Sequence, residues 1–245
     1  MRRIHRLHLP EPTQQAIDQK QADADAKQVS GVLNVDAEWK ASRQSQPIKN
    51  VLGVLQKMAG NRQRCMYCGD SHGNDIEHFW PKKQYPSRMF RWPNLLLCCT
   101  ECGRFKGQKF PLGNGDPLLV DPTSEDPWQF LDFDPTTGNI VARFDLAAND
   151  WTVKGTKTVE VLHLNCREAF AAANQHTHRR LKALVEEALQ LPNIDATTLI
   201  AKLREADDHG LMGWCFSGTG QYIEPFARLR QVHPEVWQAC LQALI

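Results

Sequence analysis

A chain of 245 residues with 42% hydrophobic and 23% charged content can bury a full core, and its composition excludes the disordered, collagenous and low-complexity classes. No run approaches the roughly 20 apolar residues needed to span a bilayer, and the opening MRRIHRLHLPEP has no apolar stretch of signal-peptide length, so a cytoplasmic protein without a membrane partner is expected. The net charge of +1 hides a divide: residues 1–110 hold 18 Lys/Arg against 10 Asp/Glu, and residues 111–245 hold 11 against 18.

A basic half beside an acidic half points to an anionic ligand on the first part, although ordinary surface charge explains the count about as well. In a reducing compartment, eight cysteines are metal ligands or core thiols rather than disulfides. Spacing sorts them. Cys65/Cys68 and Cys99/Cys102 form two Cys-x-x-Cys clips, whereas Cys98, Cys166, Cys215 and Cys240 are isolated or in apolar surroundings and read as free thiols.

Residues 1–30 favour helix but carry a thin apolar stripe, which predicts a helical arm, either lying on a partner or solvated. Ile48, Val51, Leu52, Leu55 and Met58 recur at helical spacing and predict an amphipathic helix over 47–60 that ends at Gly60. Residues 111–156 are rich in Pro, Gly and Asp and read as loops with a short strand at Asn139–Phe144. Asp121, Asp126 and Asp134 there are turn formers before metal ligands. From about Thr158 the chain turns helical. Asn165 and Glu168 resemble a capping pair opening a helix whose polar face carries His176, His178, Arg179 and Arg180. Two more helices are predicted over 195–207 and 234–245, with Trp214, Phe216 and Phe226 in the core between them. The expected fold class is α+β, in three parts: a helical arm and lead-in helix (1–60), a metal-stapled core (61–115) and a mainly helical region for packing and partner docking (116–245).

The two clips lie thirty residues apart and supply four thiolates, a closed tetrahedral shell for a structural Zn²⁺. Between them, Asp75–Phe79 and Leu95–Cys98 read as strands, and Glu101–Lys106 as the start of a helix. Trp80 and Trp92 are expected to pack, and His72 to sit on an exposed loop.

Cys-x-x-Cys, Glu77-His78-Phe-x-Pro81-Lys82, Trp92-x-Asn94-Leu95 and the second Cys-x-x-Cys resemble the zinc-binding HNH endonucleases, whose core is a ββα-metal element. The wider pattern is similar to the PtuB family, the HNH subunits of Septu anti-phage systems that also occur in retron operons. It includes the Met-Arg-Arg-Ile start, Asp121-Pro122, Asp126-Pro127 and Leu162–Asn165. The resemblance implies phosphodiester hydrolysis of DNA or RNA with His78 as general base. Glu77, backed by Asp75, would hold a catalytic Mg²⁺ or Mn²⁺, and Asn94 would bond the hairpin backbone and aim the histidine. It also implies an ABC/SMC-type ATPase partner (PtuA-like), with a retron reverse transcriptase and its RNA as further associates. Lys82, Lys83, Arg88, Arg91, Arg104, Lys106 and Lys109 surround this stretch and are the expected nucleic-acid contacts. Two features pull the other way. Gly103 stands where the family has a third His or Asn, so either the metal has fewer protein ligands, or a group such as His72 or Asp75 takes its place, or the activity is weakened. In addition, adjacent residues of an ideal strand face opposite ways, which separates Glu77 from His78. A non-catalytic zinc module that binds nucleic acid or protein is the competing reading.

Overall fold

The computed structural model describes residues 1–244, in an α+β arrangement of helices and two-stranded antiparallel sheets. Its contacts divide the chain into two compact units. One comprises Ile4–Tyr67 and Ser71–Pro117; the other runs from Leu118 onward and includes Met1–Arg3 and Cys68–Asp70. No helix among the described residues is long and apolar enough to cross a membrane.

The first unit begins with α1 (Glu11–Val29), α2 (Val35–Ser42) and α3 (Gln46–Met58). The thin stripe of α1 is not solvated. Thr13, Ile17, Gln21 and Ala24, spaced at four, four and three residues, are all buried. Gln21 fixes the packing: its Nε2 donates to Pro86 O at 3.0 Å and its Oε1 accepts from Phe90 N at 2.7 Å. On α3, Ile48, Val51 and Leu55 form the buried face, and Gly60 takes φ +82° just past the end, where a left-handed residue closes a helix. The hairpin β1 (Asp75–His78) and β2 (Leu95–Cys98) follows, in the register Asp75–Cys98 to His78–Leu95, and leads into α4 (Thr100–Lys106). All four residues of β2 are buried, so the strand reads as an unbroken apolar run rather than an alternation. A minimal hairpin, β3 (Leu112–Gly113) with β4 (Asp116–Pro117), closes the unit.

In the second unit, β5 (Leu131–Phe133) pairs with β6 (Ile140–Ala142), and β7 (Phe144–Asp145) with β8 (Asp150–Trp151). The predicted Asn139–Phe144 strand is therefore split between two hairpins. Helices α5 (Val153–Leu162), α6 (Glu168–Ala188), α7 (Ala196–Ala206), α8 (Leu211–Phe216), α9 (Phe226–Val232) and α10 (Pro234–Gln242) follow. Trp214, Phe216 and Phe226 are buried among them, whereas Ile245, the last residue of the predicted final helix, lies outside the described residues. Two expectations need correction. Asn165 does not cap α6; its amide holds both the N–H and the C=O of Ile140 on β6, at 3.0 and 2.7 Å. His178 is not on the polar face of α6 but buried, its ring 5.4 Å from Trp214 and 5.5 Å from Phe133. The Asp-Pro segments do behave as turns: Asp121 accepts from Thr123 N, Asp126 from Trp128 N, and Asp134 from Thr136 N.

Candidate functional site

The four clip sulfurs are buried and lie within 4.8 Å of one another. A tetrahedron of Zn–S bonds near 2.3 Å places its sulfurs about 3.8 Å apart, so the cluster needs only a small contraction to hold a zinc ion. Local structure prepares it. Cys65 N donates to Ser71 O at 2.8 Å, which closes the first clip into a tight loop, and Met66 N donates to Leu97 O at 2.9 Å, which ties that loop to β2. Cys99 is the N-cap of α4, its sulfur accepting from Cys102 N. The fifth thiol, Cys98, lies 4.0 Å from Cys65 and donates to Cys99 O, so it borders the cluster without belonging to it. Among the described residues, no other group of three or more His, Cys, Asp or Glu side chains is placed to hold a metal.

Beyond the clips, β1 presents its side chains alternately. His78 is buried at 4% exposure, and its Nε2 lies 3.0 Å from Met89 O. A carbonyl only accepts, so the neutral ring carries its proton on Nε2 and keeps the lone pair on Nδ1. Gln21, bonded on both sides of Met89, holds that carbonyl in place. Burial, aided by the Lys82 charge and opposed by the Met89 bond, pushes the His78 pKa down to about 3, so the imidazole is neutral at physiological pH.

Glu77 points the other way, toward α4. Its Oε1 receives the Lys106 ammonium at 2.8 Å, and the same ammonium donates to His78 O at 2.7 Å. Lys106 has no exposure at all, so this expected nucleic-acid contact lies inside the fold, bracing the carboxylate and the end of β1. Burial raises the Glu77 pKa and the Lys106 charge opposes the rise. A side chain at Gly103 would start 3.6 Å from Glu77 Oε2, so the missing third motif residue leaves space at the carboxylate oxygen that Lys106 does not hold. Asp75, two residues back on the same strand, is half-exposed and paired with Arg43 at 2.9 Å. His72 is exposed and bridges to Arg64 through the backbone.

Asn94 ties the pieces together. Its Oδ1 accepts from Trp80 N at 2.7 Å, while its Nδ2 donates to Trp80 O at 3.1 Å and to Arg88 O at 2.9 Å. Phe79 N donates to Asn94 O at 2.9 Å, extending the hairpin ladder past His78. Asn94→Ala removes three bonds at a buried position and is expected to cost about 2–3 kcal/mol, measurable as a lowered denaturant midpoint with unchanged slope. A shift under about half a kcal/mol would mean that the loop is held by other means.

Five of the remaining cations sit on the surface. Lys83, Arg88, Arg91, Arg104 and Lys109 are exposed, and Lys82 is half-buried. Several already have partners: Lys83 and Lys82 reach Asp36 at 2.6 and 3.9 Å, Arg91 reaches Asp18 and Asp25, and Arg88 stacks on Trp80 at 4.3 Å. Sequence reasoning missed Gln21, Trp39, Met89 and the inward role of Lys106. Only Gln21 left a signal, a polar residue in the buried stripe of α1.

No protein-family model matches the chain. It is similar to the Septu protein PtuB of Bacillus thuringiensis, with 28% identity over 154 residues, 59% of this chain and 54% of that protein. The chain thus spans about half the length of the curated relative it matches.

Proposed function

We infer that the chain is a metal-dependent nuclease of the HNH type, acting in an anti-phage defence system of the Septu kind. The observation that carries this reading is that one hairpin end holds, on opposite faces of β1, a neutral histidine with its Nδ1 lone pair free and a braced carboxylate, with a loop-holding asparagine and a four-cysteine cluster in the same element. His78 Nδ1 would take a proton from water as its oxygen bonds to phosphorus and the P–O bond to the leaving sugar breaks. Glu77 Oε2 would hold a divalent ion, because Mg²⁺ or Mn²⁺ needs only one or two protein carboxylates when water and phosphate oxygens complete its shell. When bound, such an ion polarises the phosphoryl oxygen and steadies the departing one. Lys106 keeps Oε1 and the strand end fixed, and the exposed Lys83, Arg88, Arg91, Arg104 and Lys109 would bind the phosphate backbone.

The similarity to a Septu protein supports an ABC/SMC-type ATPase as partner. A retron reverse transcriptase with its RNA follows only from the wider sequence resemblance. The test is incubation of plasmid DNA and of tRNA with the chain and its neighbouring ATPase in Mg²⁺ or Mn²⁺, comparing wild type with His78→Ala. Loss of general-base help predicts a rate about 10²–10⁴-fold lower in the variant. Equal cutting by both proteins removes His78 from the mechanism. The burial of His78 favours one second reading, a non-catalytic zinc module, and no cutting under any condition would support it.

A further inference from the structure

His78 is buried at 4% exposure, and a side chain packed against its ring belongs to α2. Trp39 meets the imidazole edge-on, centroids 4.4 Å apart and planes at 76°, and also rests on Phe90 at 5.7 Å. For an element placed over a buried histidine, α2 is lightly held. Of its eight residues only Ser42 is buried, and Trp39 itself is half-exposed. Besides a 3.4 Å hydrogen bond from Lys20 Nζ to Ser42 Oγ, the attachments of the helix and its C-cap are surface ion pairs: Asp36 with Lys83 and Lys82, Arg43 with Asp75 at 2.9 Å, and Glu38 with Lys27 at 2.6 Å. Such exposed pairs hold weakly and weaken further with salt. Elements with few buried apolar contacts open first. The link before α2 suits such movement: residues 30–34 form no helix, and Gly31 takes φ +74° with nothing within 4 Å of where its Cβ would lie.

Resting on the nuclease reading above, we propose that α2 is a displaceable cover over His78, opened by the phosphate backbone of incoming nucleic acid as it competes with Asp36 for Lys82 and Lys83. The Asp36 carboxylate already occupies those two ammonium groups as a phosphate would, so binding the substrate and uncovering the base become one event. In the free chain the cover is closed, with Trp39 against the imidazole and Asp36 on the two lysines. An open state held by about 0.1–10% of molecules is within reach of a ligand with differential affinity.

Two measurements on the full chain test this. The first is acylation of His78 by diethylpyrocarbonate, read by peptide mass spectrometry with exposed His72 as internal control. Trp39→Ala and the double variant Asp36→Asn/Arg43→Gln are each expected to raise the His78 rate about fivefold or more, the effect of roughly 1 kcal/mol, with the His72 rate unchanged. The double variant is confined to the surface and keeps the test valid if Trp39→Ala fails to fold. The second is amide exchange of residues 35–42 with a duplex oligonucleotide and no added divalent ion, where exchange should speed up on binding. Unchanged His78 reactivity in both variants, or equal or greater protection of 35–42 with DNA bound, overturns the cover. Exposure of His78 without cleavage of any nucleic acid leaves the cover standing and sinks the nuclease reading. Cleavage by wild type with 35–42 unmoved by DNA does the reverse.

Discussion

Cys102→Ser is expected to unfold the 62–110 element and lower bound zinc from about one ion per chain to a small fraction of that. The element has little regular structure: β1, the buried β2 and a seven-residue helix are joined by short loops that bury Met66, Tyr67, Phe79, Met89, Phe90 and Trp92. Metal binding supplies on the order of 10 kcal/mol of folding free energy in small zinc elements, as much as burying several large apolar side chains. The loss would spread, because the first clip is bonded to β2 through Met66 and Leu97 and the second begins α4, which carries Lys106 to Glu77. Zinc content by atomic absorption and protease sensitivity around residues 62–110 check it. A metal-free native protein, or a variant as stable as wild type, would dismantle the clamp.

The second large effect is at Lys106. Lys106→Met keeps the length of the side chain and removes the ammonium, leaving Glu77 Oε1 and the His78 carbonyl without their shared donor. Removing one partner of a buried ion pair costs about 3–5 kcal/mol. The Glu77 side chain retains 18% exposure, so the lower end applies. That corresponds to a fall of roughly 10 °C in the unfolding midpoint for a chain of this size. Adding Glu77→Gln should recover part of the loss, since a neutral amide tolerates the site better than an unpaired carboxylate, and the double-mutant cycle isolates the pair. A single variant within about 1 kcal/mol of wild type would show that the pair is not needed for stability.

Much of the hairpin was legible because each part had its own local signal. Cys-x-x-Cys announces a turn, Leu95–Cys98 is apolar throughout, and Asn94 precedes it at a fixed step. The 47–60 helix was legible by its stripe. Helix α2 was not, because VDAEWKAS has no apolar periodicity and is held by ion pairs to residues far along the chain. Lys106 misled for a related reason. Its neighbours Arg104 and Lys109 are exposed cations, and only the three-dimensional approach of α4 to β1 turns it inward. Asn165 followed by Glu168 matched a capping pattern, yet a partner on β6, 25 residues back, took its amide. The roles proposed for His78, Glu77 and Asn94 came from the family resemblance, and the structure adds the neighbours of each side chain.

The alternation of β1, which in sequence set Glu77 against His78, has a stereochemical consequence. His78 is enclosed on the side of Met89 and Trp39, and Glu77 faces α4 and Gly103. Displacement at a phosphodiester is in line, with the entering and departing oxygens on opposite sides of phosphorus. A phosphate at the end of this strand would thus have its water activated from one face and its leaving oxygen received at the other. In the proposed reaction the chirality of an isotopically labelled phosphorus would invert, with no covalent phosphoenzyme on the way.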